Sequence, residues 1–249
     1  MKRGFYTIMS AQFFSSLADN ALFVAAVELL RTSGAPEWQR AALVPMFALF
    51  YVVLAPFVGA FADALPKGRV MFFSNAIKIV GCLMMLFGSH PLIAYAVVGL
   101  GAAAYSPAKY GILTELLPAS QLVKANGWIE GLTIASIILG VLLGGQLVGH
   151  HLSAALLSID IPMIDFGIHT AAEAAIAALI LVYALAAWFN TRIPHTGVEM
   201  RPLRQHPQRS ILASTLALLP DFWACNSRLW HDKLGQISLS TTTLFWGAG

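Results

Sequence analysis

Five polar residues near the start of the chain, Gln12, Ser15, Ser16, Asp19 and Asn20, recur at steps of three and four. On a helix that spacing gathers them into one stripe with a carboxylate at its centre. The stretch around them is apolar, and Phe13, Phe14, Leu17 and Val24 are expected to form its lipid-facing side. Lys78 stands in a second apolar run, with Asn75 three residues before it on a shared face. Glu130 opens a third, with Asn126 and Thr133 on the same face. A charge at the centre of a bilayer costs about 2.5–3.5 kcal/mol on insertion scales, so each needs a cavity, a ligand or a partner. Asp19 and Asn20 suit a water-filled path, or a carboxylate satisfied by a neighbouring helix. Lys78 can meet a phosphate, or pair with Asp19 or Glu130 and hold helices together. Glu130 reads as a second polar group near the inner mouth. Glu28 lies on the opposite face from Asp19, one turn from Arg31, where a local ion pair explains it as well as a site does. Glu173 reads as interfacial.

No catalytic constellation accompanies these charges. The chain has no H-E-x-x-H, no Walker A and no G-x-S-x-G pattern. His150-His151 is a pair without metal-ligand spacing to other donors. The reading is therefore not an enzyme, with no cofactor and no metal. Lacking a P-loop, the chain is not expected to be an ATP-driven pump by itself.

The elements that must hold these residues are transmembrane helices. Apolar residues make up 58% of the chain and charged ones 11%, against about 45–50% and about 25% in soluble domains. A spanning helix needs roughly 20 mostly apolar residues. Six stretches qualify: 5–30, 41–62, 70–88, 91–113, 128–149 and 170–190. A seventh starts near Ile237 and reaches Gly249, too short to cross. The first stretch follows Lys2 and Arg3 as a signal peptide would, yet it is too long and carries an Asp-Asn pair, so it reads as a retained span. Gly140-x-x-x-Gly144, Gly145-x-x-x-Gly149 and Gly99-x-x-x-Ala103 are small-xxx-small patterns that let helices approach closely. Cys82 and Cys225 imply no disulfide framework.

Lys and Arg concentrate on the cytoplasmic side of membrane proteins. With the N-terminus inside, twelve of the fifteen fall on inner segments, two (Arg31 and Arg40) fall outside, and Lys78 is within a span. The segment 150–169 has neither residue and lies outside. The positive charge is thus membrane anchoring rather than a nucleic-acid surface. The chain divides into a six-span bundle (1–190), a cytoplasmic linker (191–236) and the start of a seventh span (237–249). Within the linker 192–209 reads as a basic loop. Residues 220–234 place Phe222, Trp223, Leu229, Trp230 and Leu234 at helical spacing, which suggests an amphipathic helix on membrane lipid.

Between spans 2 and 3 the chain reads Gly59-Ala-Phe-Ala-Asp63-Ala-Leu-Pro-Lys67-Gly68-Arg69. This resembles the loop signature of the major facilitator superfamily, with two extra residues between the aspartate and the turn glycine. Asp63 would end one helix, and Lys67 and Arg69 would begin the next. Such charges can latch two halves of a carrier, or serve as ordinary anchoring. Asp19-Asn-Ala-Leu22, Ala55-Pro-Phe-Val-Gly59, Lys67-Gly-Arg-Val-Met71, Gly101-Ala-Ala-Ala-Tyr-Ser-Pro-Ala-Lys-Tyr-Gly-Ile-Leu113, Leu122-Val-Lys-Ala-Asn-Gly127 and Leu244-Phe-Trp-Gly-Ala-Gly249 resemble segments of the bacterial lysophospholipid transporter family.

That resemblance implies an all-α integral membrane protein, the N-terminal six-helix bundle of a 12-span fold in two halves, ending early in span 7. Each half would hold inverted three-helix repeats. It implies a bacterial inner-membrane carrier that moves lysophospholipids such as lysophosphatidylethanolamine from the outer to the inner leaflet. A cytoplasmic acyltransferase partner would re-acylate them there. Spans 1 and 4 would line the cavity, which favours Asp19, Tyr105 and Lys109 over Lys78. Asp19 and Asn20 would take the head-group ammonium, and Lys109 or Lys78 the phosphate. The competing expectations are a proton-coupled drug carrier and a membrane scaffold that transports nothing.

Overall fold

A computed structural model describes residues 3–158, 168–198 and 216–247. It divides into two units, 1–200 and 201–249. In the first, α1 (Arg3–Thr32), α2 (Glu37–Val53), α3 (Ala55–Ala64), α4 (Lys67–Leu86), α5 (Pro91–Leu116), α6 (Ala119–Val148), α7 (His150–Leu157) and α8 (Ala171–Thr191) follow one another. Five of these, α1, α4, α5, α6 and α8, are long and apolar enough to cross a membrane.

One more crossing, second in chain order, is α2 with α3 taken together, which meet at 65°. The expected straight span 41–62 is therefore a broken one. The cause is Pro56, in the first turn of α3. Proline has no N–H to donate and its ring collides with the carbonyl four residues back, so α2 cannot run on through it. The fifth crossing also differs from expectation. Its helix begins at Ala119, because the polar segment before Trp128 is helical too, so Glu130 lies about 16 Å along it. The segment after it opens with α7 rather than as a plain loop.

The turns after α1 and α4 share one device. Gly34 and Gly88 have φ of 68° and 78°. The next amide reaches back to Leu30 O at 3.0 Å and to Met84 O at 2.9 Å. This is the left-handed glycine stop. At the start of α8, Thr170 and Glu173 form a reciprocal capping box. Glu173 is thus a helix-start residue.

Packing within this unit repeats itself. The first crossing (α1) lies against the fifth (α6) and sixth (α8), and the fourth (α5) lies against the second (α2, α3) and third (α4). Exchanging crossings 1, 2, 3 for 4, 5, 6 maps one set of neighbours onto the other. Three crossings invert direction, so these are inverted three-helix repeats. The third and sixth crossings close the body against each other.

Glycines set the closest approaches. A Cβ on Gly140 would lie 2.6 Å from Leu17 O, and one on Gly144 2.7 Å from Ala21 O. One on Gly99 would lie 2.2 Å from Phe47 O. Gly145 meets nothing within 4 Å, so the second of the paired patterns in α6 is no seam. The lipid-facing side expected for the first span is also corrected. Leu17 is buried, Val24 lies under Gly144, and Phe14 stacks on Phe189 of α8. Neighbours flank α1 on more than one side, so of the expected lipid-facing residues Leu17 is buried while Phe13, Phe14 and Val24 stay half-buried.

In the second unit, α9 (Leu218–His231) and α10 (Lys233–Gly247) pack on each other. Trp223, Leu229 and Trp230 are exposed on α9. Asp232 leaves helical geometry, and its carboxylate accepts the Gly235 amide at 3.0 Å. The amphipathic helix therefore stops at His231, and Leu234 belongs to α10. That helix starts before the expected seventh span. Most of the expected basic loop, 199–209, lies outside the described residues.

Candidate functional site

Three charged clusters lie inside the first unit. The central one sits at its waist, between an apolar cluster holding Ala18, Leu22, Cys82 and Leu179 and another holding Ile8, Met71 and Ile112. There the Lys78 ammonium donates to Asp19 Oδ2 at 2.7 Å and to Ser15 Oγ at 2.9 Å. It also lies 5.2 Å from the centre of the Tyr105 ring and 5.6 Å from that of Tyr183. The Tyr183 hydroxyl donates to Asp19 Oδ1 at 2.7 Å. Ser15 in turn donates to Asn75 Oδ1 at 2.7 Å. Both carboxylate oxygens of Asp19 therefore have donors, and crossings 1, 3, 4 and 6 meet on one lysine. Two partners that a single helix cannot supply turn a costly buried charge into a satisfied pair. The Gln12 amide, one turn further along the stripe, donates to Thr133 Oγ1 of α6 at 3.3 Å.

The second cluster joins α5 and α6. Lys109 is 8% exposed. Its ammonium lies over the Tyr110 ring, 4.4 Å from the centre. The Tyr110 hydroxyl donates to Glu130 Oε1 at 2.6 Å. Glu130 Oε2 is buried without a hydrogen-bond partner. Among the described residues Lys109 has no ion-pair partner. Gly127 and Gly131 stand either side of Glu130 with open space where a Cβ would be.

The third cluster lies at the end where α3, α5 and α8 finish and α4 begins. The buried Lys67 donates to Ala62 O at 2.8 Å and pairs with Asp63. Glu115 lies 3.8 Å from the same ammonium and accepts from Thr196 Oγ1 at 2.6 Å. Gly68 is tight: a Cβ there would lie 3.1 Å from Ile193 and 3.2 Å from Asn190 O. Gly59 is exposed, with open space beside it. Arg69 is exposed too.

The structure thus brings Asp19, Lys78 and Tyr105 together, and Lys109 with Glu130. It brings Asp63 with Lys67. Asn20 stays apart from these groups, its amide donating to Ser16 O of its own helix at 2.8 Å. Glu28 and Arg31 form the local pair, with two contacts of 2.7 Å. Sequence reasoning missed Tyr183, Tyr110, Glu115 and Thr196. Tyr183 did leave a signal, as the one hydroxyl between Ala174 and Phe189. Among the described residues no group of three or more His, Cys, Asp or Glu could hold a metal ion.

Comparison with known proteins adds family to this geometry. The Major Facilitator Superfamily pattern matches residues 8–248. The lysophospholipid transporter LplT of Yersinia enterocolitica is 41% identical over all 249 residues, which cover 55% of that protein. The lysophospholipid transporter LplT of Yersinia pestis is 40% identical over the same residues, 54% of its length. The chain spans about half the length of these relatives. Among solved structures, an inward-facing, unoccupied bacterial homologue of the human lysosomal transporter Spinster superposes with a TM-score of 0.62 at 20% identity. It covers 82% of this chain and 47% of the other.

Proposed function

The chain belongs to the Major Facilitator Superfamily, and from that premise we propose that it supplies the N-terminal six-span half of a lysophospholipid carrier. The observation that carries the reading is Lys109, a largely buried lysine whose ammonium pairs with no carboxylate among the described residues, in a chain 41% identical throughout to a lysophospholipid transporter. A lysophospholipid has one acyl tail, a phosphate and a polar head. The tail can remain in lipid or an apolar crevice, and the phosphate needs a cation inside the protein. Lys109 supplies that cation. Asp19 and Lys78 neutralise each other, so they hold crossings 1, 3 and 6 as one body. Alternating access rocks that body against a second half.

The asymmetry of Lys and Arg supports a cytoplasmic N-terminus in a bacterial inner membrane. Transport then runs from the outer to the inner leaflet, and a cytoplasmic acyltransferase consumes the product. The amphipathic α9 lies on membrane lipid.

The test is uptake of labelled lysophosphatidylethanolamine into spheroplasts that lack their own carrier. The chain is produced alone and with the complementary half of its Yersinia enterocolitica relative. Uptake only with both halves, competed by unlabelled lysolipid, is the expected result. Flux of a drug driven by a pH gradient and indifferent to lysolipid would instead establish the proton-coupled reading.

A further inference from the structure

Asp19 closes into a pair with Lys78, and Lys67 with Asp63. Lys109 and Glu130 do not. One residue, Tyr110, stands between them and engages both. Its ring lies under the Lys109 ammonium and its hydroxyl binds one Glu130 oxygen. The result is an ammonium on a largely buried lysine without an anion, and a buried carboxylate oxygen without a donor. Leaving polar groups unsatisfied in this way is destabilising, and such groups inside a membrane mark a ligand path.

We infer that this gap is the seat of a zwitterionic head group, with phosphate on Lys109 and a primary ammonium on Glu130, so that Glu130 sets head-group preference. The assignment rests on the lysophospholipid reading above and adds the residue that reads the amine.

Three observations support it. Room lies alongside α6: Glu130 is half-buried, and Gly127 and Gly131 leave open space at their own positions. The terminal torsion of glutamate is broad and roughly two-fold, so either oxygen turns outward at little cost. The rival carboxylate is occupied: Asp19 already has an ammonium on one oxygen and a phenol on the other. A phosphate and an amine joined by two carbons need two opposite charges held apart, which is what Tyr110 maintains. A lysolipid without an amine would use only Lys109.

The experiment uses the whole chain in lipid nanodiscs. Thermal stabilisation is followed against two added lipids of equal tail, lysophosphatidylethanolamine and lysophosphatidic acid. Ligand binding to the folded form raises the midpoint, and at equal concentration the tighter ligand raises it more. The wild type should bind the ethanolamine lipid more tightly. Glu130→Gln should weaken that lipid by about tenfold or more, the loss of one charge-assisted contact, and leave lysophosphatidic acid unchanged. Glu130→Asp should restore part of the preference. Lys109→Met should weaken both lipids. Equal weakening of both lipids by Glu130→Gln, or of neither, would overturn this assignment while the lysophospholipid reading stands. A wild-type chain that binds neither lipid would overturn both.

Discussion

Lys78 and Asp19 stand 59 positions apart in the chain and meet at 2.7 Å inside the six-span body. Their side chains are 2% and 17% exposed. Removing one partner of such a pair leaves an uncompensated buried charge and costs about 3–5 kcal/mol, while neutralising both is often tolerated. Asp19→Asn and Lys78→Met should each lower the thermal unfolding midpoint in detergent. The double variant should recover most of the loss. Strictly additive losses would show that the two charges do not stabilise each other.

Tyr183 gives the same site a more selective probe. Its hydroxyl donates to the Asp19 oxygen that Lys78 does not use. Hydrogen bonds to charged groups contribute about 1.5–3 kcal/mol. Tyr183→Phe keeps the ring over Lys78 and should lose an amount in that range. Against an Asp19→Asn background the loss should shrink, because the acceptor no longer carries a full charge. Equal losses in the two backgrounds would place the effect in packing rather than in this bond.

Glycines of one helix provide an internal control. Gly140→Ala would drive a methyl to 2.6 Å from Leu17 O, and neither backbone can yield without separating α1 from α6. Overpacking of this kind costs about 1–3 kcal/mol. Gly145→Ala, five residues on, meets open space and should be neutral or gain the roughly 1 kcal/mol that alanine adds in a helix. The thermal midpoint should fall with Gly140→Ala and not with Gly145→Ala, and Gly99→Ala should follow Gly140→Ala.

The contrast between those glycines also shows where sequence reading stopped. Span number followed from apolar length alone, because the bilayer fixes it. The pattern Gly140-x-x-x-Gly144 was visible as a helix-packing seam, but the identical spacing at Gly145 and Gly149 was equally visible and packs on nothing. Spacing gives a face, not the helix that covers it. Asp19 and Lys78 were each legible as charges in need of a partner, and their pairing was one of the options left open. Tyr183 was not, since a lone phenol in an apolar span has no period to betray its neighbour. The break at Pro56 was legible in the proline, yet Pro45 sits within α2 without breaking it. Which proline bends a helix depends on the packing around it. For Lys109 and Glu130, no sequence pattern says that one tyrosine will hold them apart.

The charged loop before α4 yields the last prediction. Lys67 and Arg69 are two residues apart and look alike in sequence, but their surroundings differ. Lys67 is 8% exposed and bonds Ala62 O, Asp63 and, more distantly, Glu115, which itself holds Thr196 beyond α8. Arg69 is exposed, and its side chain has no ion-pair or hydrogen-bond partner among the described residues. Lys67→Met removes the cation shared by two carboxylates, one at the end of α3 and one at the end of α5. It should therefore lower the thermal midpoint of this chain. Arg69→Gln touches nothing within the chain and should shift stability by no more than about 0.5 kcal/mol. If Arg69 latches this half to another, its replacement should reduce uptake in the reassembled carrier while the midpoint of the chain alone stays fixed. A fall in the midpoint with Arg69→Gln would instead assign Arg69 to the internal packing of this half.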